Sequence, residues 1–346
     1  MFNQKYFKKK SLYVCPKTKM PLFVNDECTE MATEEGVVYP ILKVGKGIPN
    51  FLSAYSLGES QKINLDIYNQ SFSVERYRNE LNWLYATFGE DEALFRRRNL
   101  ERLQMCSGQR ILITGCGLGS DLKPIAESVG SIGSVYAQDL APEMVIYTDK
   151  SLNEFPFDVD NIHLSVSDAQ NLPFSDGFFD GVFHFGGINL FDDIRLSIHE
   201  MARVTRPGGR VVFGDESVGP WLRDTDYGRA AICNNSLWNV GTPIDLLPVN
   251  AVDVNLTWIF GNCFYLISFQ VSSEGPYMNM DVPHIGLRGG SMRSRFFGQL
   301  EGVSVSSKQF VIEAARARQI SVYQWLEETI KEKKDKLSCD QGNKLS

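Results

Sequence analysis

Residues 111–122 read Ile-Leu-Ile-Thr-Gly-Cys-Gly-Leu-Gly-Ser-Asp-Leu, and they hold the strongest chemical signal in the chain. Gly115, Gly117 and Gly119 alternate between a short apolar run and a helical stretch. Glycine there admits positive φ and lets the backbone close on a ligand, while a helix N-terminus adds unsatisfied N–H groups. A glycine-rich loop alone is weak evidence, because dinucleotide enzymes use G-x-G-x-x-G for the same purpose. Here the spacing is G-x-G-x-G, with Ser120 where a dinucleotide loop would carry its third glycine. Asp139 follows about 20 residues after the loop, where a carboxylate can accept hydrogen bonds from ribose hydroxyls. Asp168-Ala169 then precedes Asn171-Leu172-Pro173-Phe174.

These residues need rigid elements behind them, and the pattern supplies them. Apolar runs at Ile111–Thr114, Ser134–Ala137, His163–Val166, Phe179–Phe185 and Arg210–Phe213 alternate with helical stretches, one opened by Pro142-Glu143. Such alternation predicts a parallel sheet with right-handed crossovers. Asp192 is placed to cap a helix bearing Ile194, Ile198, Met201 and Ala202 on one stripe. Two further runs, Val252–Phe260 and Cys263–Val271, flank Gly261-Asn262 and read as a hairpin.

Taken in order, the glycine loop, Asp139, Ser167-Asp168-Ala169-Gln170-Asn171-Leu172-Pro173-Phe174, Phe179-Asp180 and Arg206-Pro207-Gly208-Gly209 resemble class I S-adenosylmethionine (SAM)-dependent methyltransferases. The likeness is strongest to the ubiquinone/menaquinone-biosynthesis type and spans roughly residues 108–271. It implies a doubly wound α/β fold with a seven-stranded, mostly parallel, Rossmann-like sheet. It also implies SAM as cofactor, with S-adenosylhomocysteine as product. Thr114, Gly115, Cys116, Gly117 and Gly119 would hold the methionine half, Asp139 with Leu140 and Met144 the ribose side, and Asp168 and Ala169 the adenine, with Phe185 beside them. Cys116 is read as a small filler, since no partner base marks it as a nucleophile. One position departs from the family: Ile113 stands where Asp or Glu is usual. Losing that carboxylate would weaken a desolvated ammonium contact by roughly 1–3 kcal/mol, and the Thr114 hydroxyl or a backbone carbonyl is a candidate substitute.

Open α/β sheets bind ligands at the carboxyl ends of their strands, which nominates His184, Asn189, Asp215 and Glu216 for the acceptor side. His184 alternates with aromatic residues and reads as a structural imidazole or a base; Glu216 is the better-placed base. Gly186-Gly187-Ile188 points to close backbone approach to a ligand.

Outside this region, residues 1–57 read as a small β-rich unit, 58–108 as a helical linker or lid, 109–272 as the SAM-binding domain and 273–346 as a loop and helical extension. Cys15-Pro16, Thr18, Pro21-Leu22, Tyr39-Pro40-Ile41 and Gly47–Leu52 resemble the zinc-ribbon-like activator of tRNA and release-factor methyltransferases. Zinc-bearing relatives pair Cys-x-x-Cys, whereas Thr18 stands where the partner of Cys15 would be and Cys28 is isolated, so no metal is expected. Leu81, Leu84, Tyr85 and Phe88 line one helix face, and Arg96-Arg97-Arg98 reads as a solvated one. In the extension, Ser306 with Gln309 and Ser321 with Gln324 read as capping boxes, the second ahead of Val322, Trp325, Leu326 and Ile330 on one face. The order from Val303 to Lys336, strand-like then helix-turn-helix, faintly resembles ribbon-helix-helix dimers, and Arg288, Arg293 and Arg295 lie just upstream. One modest apolar face per helix fits docking on the core or a homodimer better than nucleic-acid contact.

The 346 residues carry 35 Lys and Arg against 42 Asp and Glu, a net charge of −7, which argues against a chain built to grip nucleic acid broadly. Seven scattered cysteines read as reduced thiols, and with neither a secretory h-region nor a membrane span the expected location is cytoplasmic. The leading expectation is methyl transfer to a small molecule by in-line displacement. RNA or protein methylation is the alternative, and a catalytically weak SAM-binding scaffold, motivated by Ile113, is a third reading.

Overall fold

The computed structural model describes residues 7–52, 57–70, 72–285, 290–297 and 303–342. Contacts divide the chain into two units, Met1–Pro276 and Tyr277–Ser346.

The first unit opens with a five-stranded antiparallel sheet in chain order: β1 (Phe7–Val14), β2 (Pro21–Asn25), β3 (Glu30–Ala32), β4 (Val38–Leu42) and β5 (Ile48–Pro49). Three helices follow, α1 (Glu59–Tyr68), α2 (Ser73–Phe88) and α3 (Glu92–Leu100). The alternating region then gives β6 (Arg110–Thr114), α4 (Leu122–Val129), β7 (Ser134–Asp139), α5 (Pro142–Ser151), β8 (Ile162–Val166), β9 (Phe179–Phe185), α6 (Ile194–Val204) and β10 (Thr205–Glu216). After α7 (Asp226–Asn234), the hairpin β11 (Ala251–Ile259) and β12 (Phe264–Val271) completes the sheet.

The seven strands lie in the order β11-β12-β10-β9-β6-β7-β8, with β12 antiparallel to both its neighbours and the others parallel. Order reverses between β6 and β9, so the loops leaving these two strands diverge and leave a crevice at their carboxyl ends. The sheet buries both faces, as a parallel sheet must. The period of two assigns the sides: Leu112 and Val182 join one core, Ile111, Ile113 and Phe183 the other. Val211 and Phe213 lie with the first core, whereas Val212 lies with the second.

The N-terminal sheet is built into this architecture. Its Tyr13, Cys15, Leu22, Tyr39 and Phe51 share a core with Tyr136, Phe174 and Phe179. The Phe51 N–H donates to the Val166 carbonyl of β8 at 2.9 Å, and Asn50 bridges Val166 in parallel. Cys15 is fully buried, its sulfur 3.0 Å from the Tyr39 hydroxyl and accepting the Thr18 N–H at 3.4 Å, while Cys28 is exposed on a turn. Cys15, Cys28, Cys106, Cys116, Cys233 and Cys263 are free.

Several local expectations shift by a residue or a partner. The cap of α6 is Asp193, whose carboxylate accepts the Leu196 N–H at 2.8 Å. Asp192 instead accepts the Ser60 N–H at the start of α1, at 3.2 Å, and a Cβ at Gly58 would meet its carboxylate at 1.9 Å. Arg96 is not a solvated residue: its guanidinium pairs with Asp121 at 2.9 Å and with Glu92 at 2.7 Å, its side chain only 12% exposed. Arg97 and Arg98 do face water.

The second unit contains α8 (Met292–Phe297), α9 (Val305–Ala317) and α10 (Val322–Gly342). Val311, Ala315 and Val322 form its core with Trp325 and Leu326, but Ile330 is exposed. Ser304, not Ser306, caps α9 by accepting the Ser307 N–H, and Gln309 turns to Glu313. Ser321 and Gln324 do form the reciprocal box ahead of α10. Val303 and Ser304 are not in a strand, and Arg288 lies outside the described residues. No helix among the described residues is long and apolar enough to cross a membrane.

Candidate functional site

The loop leaving β6 adopts the geometry its glycines allow. Gly115, Gly117 and Gly119 have φ of +62°, +50° and +73°, each costly for a side-chain-bearing residue. Gly119 packs against α5, where an added Cβ would lie 2.7 Å from Thr148, and the Thr148 hydroxyl donates to the Gly117 carbonyl at 2.9 Å. Asp139, at the end of β7, completes the turn by accepting the Gly117 N–H and the Ala141 N–H, both at 2.9 Å. Burial pushes its carboxyl above the ordinary range, against the pull of these N–H groups.

This loop is one wall of a cavity of about 490 Å³, within the usual size of small-molecule sites. Of the residues expected to hold a cofactor, Gly115, Gly117, Asp139, Leu140, Met144, Asp168, Ala169 and Phe185 line it. His184, Asn189, Asp215 and Glu216 line it too, so both groups share one space. Thr114, Cys116 and Gly119 do not. Thr114 lies on the Leu112 side of the strand, fully buried, with its hydroxyl on His184 and 3.8 Å from the Met201 sulfur. Its hydroxyl therefore does not replace the carboxylate missing at Ile113. Cys116 packs in the core beside Leu122, and burial raises its thiol pKa well above the ordinary value.

Many other lining residues carry no signal in the sequence. Tyr68, Tyr77 and Trp83 come from α1 and α2, and Asn235, Leu237 and Trp238 from the segment after α7. Gln138, next to Asp139, also lines the cavity, and its buried Nε2 has no partner. The Arg96–Asp121 pair ties α3 to the N-terminus of α4, just behind the glycine loop. Breaking a buried pair leaves a stranded charge, so Arg96→Met is expected to cost about 3 kcal/mol in urea unfolding, with much of it recovered by adding Asp121→Leu. A loss below about 0.5 kcal/mol would class the pair with ordinary surface bridges.

Beside Gly115, His184 is 1% exposed and donates its Nδ1–H to the Thr114 carbonyl at 2.9 Å. That fixes the tautomer and leaves Nε2 as an acceptor with no partner. Burial lowers its pKa to about 4, so the ring is neutral at physiological pH. The Asp215 carboxylate accepts the Asn189 N–H at 2.7 Å and the Glu216 N–H at 2.8 Å. Burial raises its pKa to about 6. Glu216 is raised to about 7, by burial first and then by the neighbouring charge of Asp215; the Asn235 amide donates to it at 3.4 Å. A carboxylate poised near neutrality can exchange a proton at working pH. Gly186 and Gly187, with φ of +82° and +95°, leave open space where any Cβ would stand.

The Methyltransferase domain family matches residues 112–213. A demethylmenaquinone methyltransferase of Geobacillus sp. (strain WCH70) is 30% identical over 145 residues, which is 42% of this chain and 56% of that protein. The corresponding enzyme of Staphylococcus carnosus (strain TM300) is 28% identical over 160 residues, 46% of this chain and 62% of that one. The chain thus spans little more than half the length of these curated relatives. Among solved structures, phosphoethanolamine N-methyltransferase 2 of Haemonchus contortus, crystallised with S-adenosyl-L-methionine, superposes with a TM-score of 0.50 at 13% identity. The superposition covers 66% of this chain and 62% of that one and marks a shared fold. The strand order and the order of the motifs agree with the match of residues 112–213 to the Methyltransferase domain family.

Proposed function

We propose that this protein transfers a methyl group from SAM to a small-molecule acceptor inside the cavity. The observation that carries the proposal is continuity: the glycine loop with Asp139 and the Glu216–His184–Asn189 group line one cavity. The residues present suit the cofactor. Gln138 has an unpartnered buried donor beside Asp139, and Gly115 and Gly117, both at positive φ, present bare backbone to the cavity. Asp139 would take the ribose hydroxyls, Asp168 and Ala169 the adenine side, and Gly115 and Gly117 the methionine half. When bound, SAM supplies a methyl already activated on a sulfonium, so the protein's task is chiefly positioning.

In this reading the chain's own groups do four things. Asp215 fixes the turn at Asn189, Phe185 and Trp238 help exclude water, and Glu216 accepts a proton from an acceptor that must lose one. His184, neutral and anchored to Thr114, orients the acceptor rather than acting as the base. A concave cavity of this size favours a small molecule over a nucleic acid or a protein surface.

Calorimetric titration of the native protein with S-adenosylhomocysteine tests the reading. One site per chain with affinity in the micromolar range or tighter is the expected result. No heat at millimolar ligand would remove the proposal.

A further inference from the structure

We infer that the methyl acceptor is an amine that enters as its ammonium ion, held among Glu216, His184 Nε2 and Asn189 Oδ1 against aromatic walls. The inference rests on the methyltransferase reading above and narrows it to a substrate class.

Charge supplies the first observation. The cavity is lined by Glu80, Asp139, Asp168, Asp215 and Glu216, and by no Lys or Arg among the described residues. Asp139 and Asp168 belong to the cofactor end, and Glu80 sits at the exposed edge, 3.8 Å from Arg76 outside the cavity. Asp215 and Glu216 remain, facing the acceptor with a neutral imidazole between them and the glycine loop. An anionic acceptor would meet repulsion there with no cation to offset it.

Spare hydrogen-bonding capacity supplies the second. Three buried polar atoms lining this side have no partner: His184 Nε2 and Asn189 Oδ1, which are acceptors, and the Trp238 indole N–H, a donor; His184 is 1% exposed. The Nε2 must be an acceptor because Nδ1 spends its hydrogen on the Thr114 carbonyl. Buried acceptors left unpaired are costly, and a ligand rich in N–H donors relieves them. Tyr68, Phe191 and Trp238 also line the cavity, and aromatic faces attract cations.

The same arrangement can release the nitrogen lone pair. One N–H bond of the ammonium breaks, its electron pair stays on nitrogen, and the proton passes to a Glu216 carboxylate oxygen. The products are a neutral amine and a protonated Glu216, with charge conserved. Glu216, held near neutrality by burial and by Asp215, suits this exchange.

The test uses full-length protein saturated with S-adenosylhomocysteine and follows thermal shift and calorimetric binding. The probes are methylamine, 2-phenylethylamine and tryptamine, set against 3-phenylpropionate and hydroquinone. At least one amine is expected to bind about tenfold or more tighter than either comparison compound, and Glu216→Gln to erase that preference while S-adenosylhomocysteine still binds. Preference for the carboxylate or hydroquinone, or no binding by any of the three amines, overturns the inference while leaving the methyltransferase reading in place. If the native protein does not bind S-adenosylhomocysteine at all, the reading beneath it falls as well, so the two failures are distinct.

Discussion

Glu216→Gln is expected to slow methyl transfer by about 100- to 10,000-fold while stabilising the fold at pH 8 by about 2 kcal/mol. The first effect follows from removing the only raised carboxylate of the acceptor end that is not already tied up by backbone N–H groups, since Asp215 holds the turn at Asn189. The second follows from linkage. Burial and the Asp215 charge raise Glu216 from 4.5 to about 7, so between those values the folded state binds more protons than the unfolded chain. Stability contributed by that proton is present at low pH and is lost as pH rises through 7. Above it, the folded state carries a poorly solvated charge that Gln lacks. Urea unfolding at pH 5 and pH 8 should show the variant gaining only at the higher pH. Initial rates with a saturating acceptor would show the catalytic loss, and an unchanged rate would remove Glu216 from the mechanism. A gain in stability together with a loss of activity is the signature of a site kept under strain for function.

Asp139→Ala is expected to weaken S-adenosylhomocysteine binding by about 100-fold or more, equivalent to about 3 kcal/mol, with little loss of folding stability. Its two carboxylate oxygens each accept one backbone N–H, from Gly117 and Ala141, and each keeps a second lone pair for a ribose hydroxyl. Truncation therefore removes a ligand contact and also slackens the loop that shapes the methionine half of the site. The half-buried position lets water reach the freed N–H groups, which limits the cost to the fold. Asp139→Asn keeps the shape but only one carbonyl acceptor, and should fall between the two. Calorimetric titration measures both variants; native-like affinity in Asp139→Ala would mean that the ribose is bound elsewhere.

The parts of the architecture that could be read from the sequence are those fixed by local periodicity. Strands β6 to β10 and the closing hairpin appear as apolar runs because a sheet buried on both faces demands them. The glycine loop was legible because only glycine takes three positive φ values in five residues. Errors arose where tertiary contacts choose between neighbours of equal propensity. Asp192 and Asp193 are both good caps, and Ser60, more than a hundred residues earlier, claims the first. Arg96 looks like part of a charged helix face until Asp121 comes within reach. The resemblance implies Thr114 as a cofactor contact, yet alternation along β6 turns its hydroxyl toward Met201 of α6. The roof residues Tyr68, Tyr77 and Trp83 sit in ordinary amphipathic helices, and nothing in their spacing tells a cavity wall from a core contact.

The bridge between Phe51 and Val166 has a bearing on how the chain can be shortened. β8 ends the central sheet, and a terminal strand with free amides and carbonyls is a template for adhesion between molecules. The leading fifty residues shield part of that margin and sink Leu22, Tyr39 and Phe51 into the common interior, each contributing on the order of 2 kcal/mol. Trimming the protein back to the seven-stranded sheet and its helices would leave a sticky flank and a hollow beneath it, so the opening segment acts as a permanent seal on the sheet.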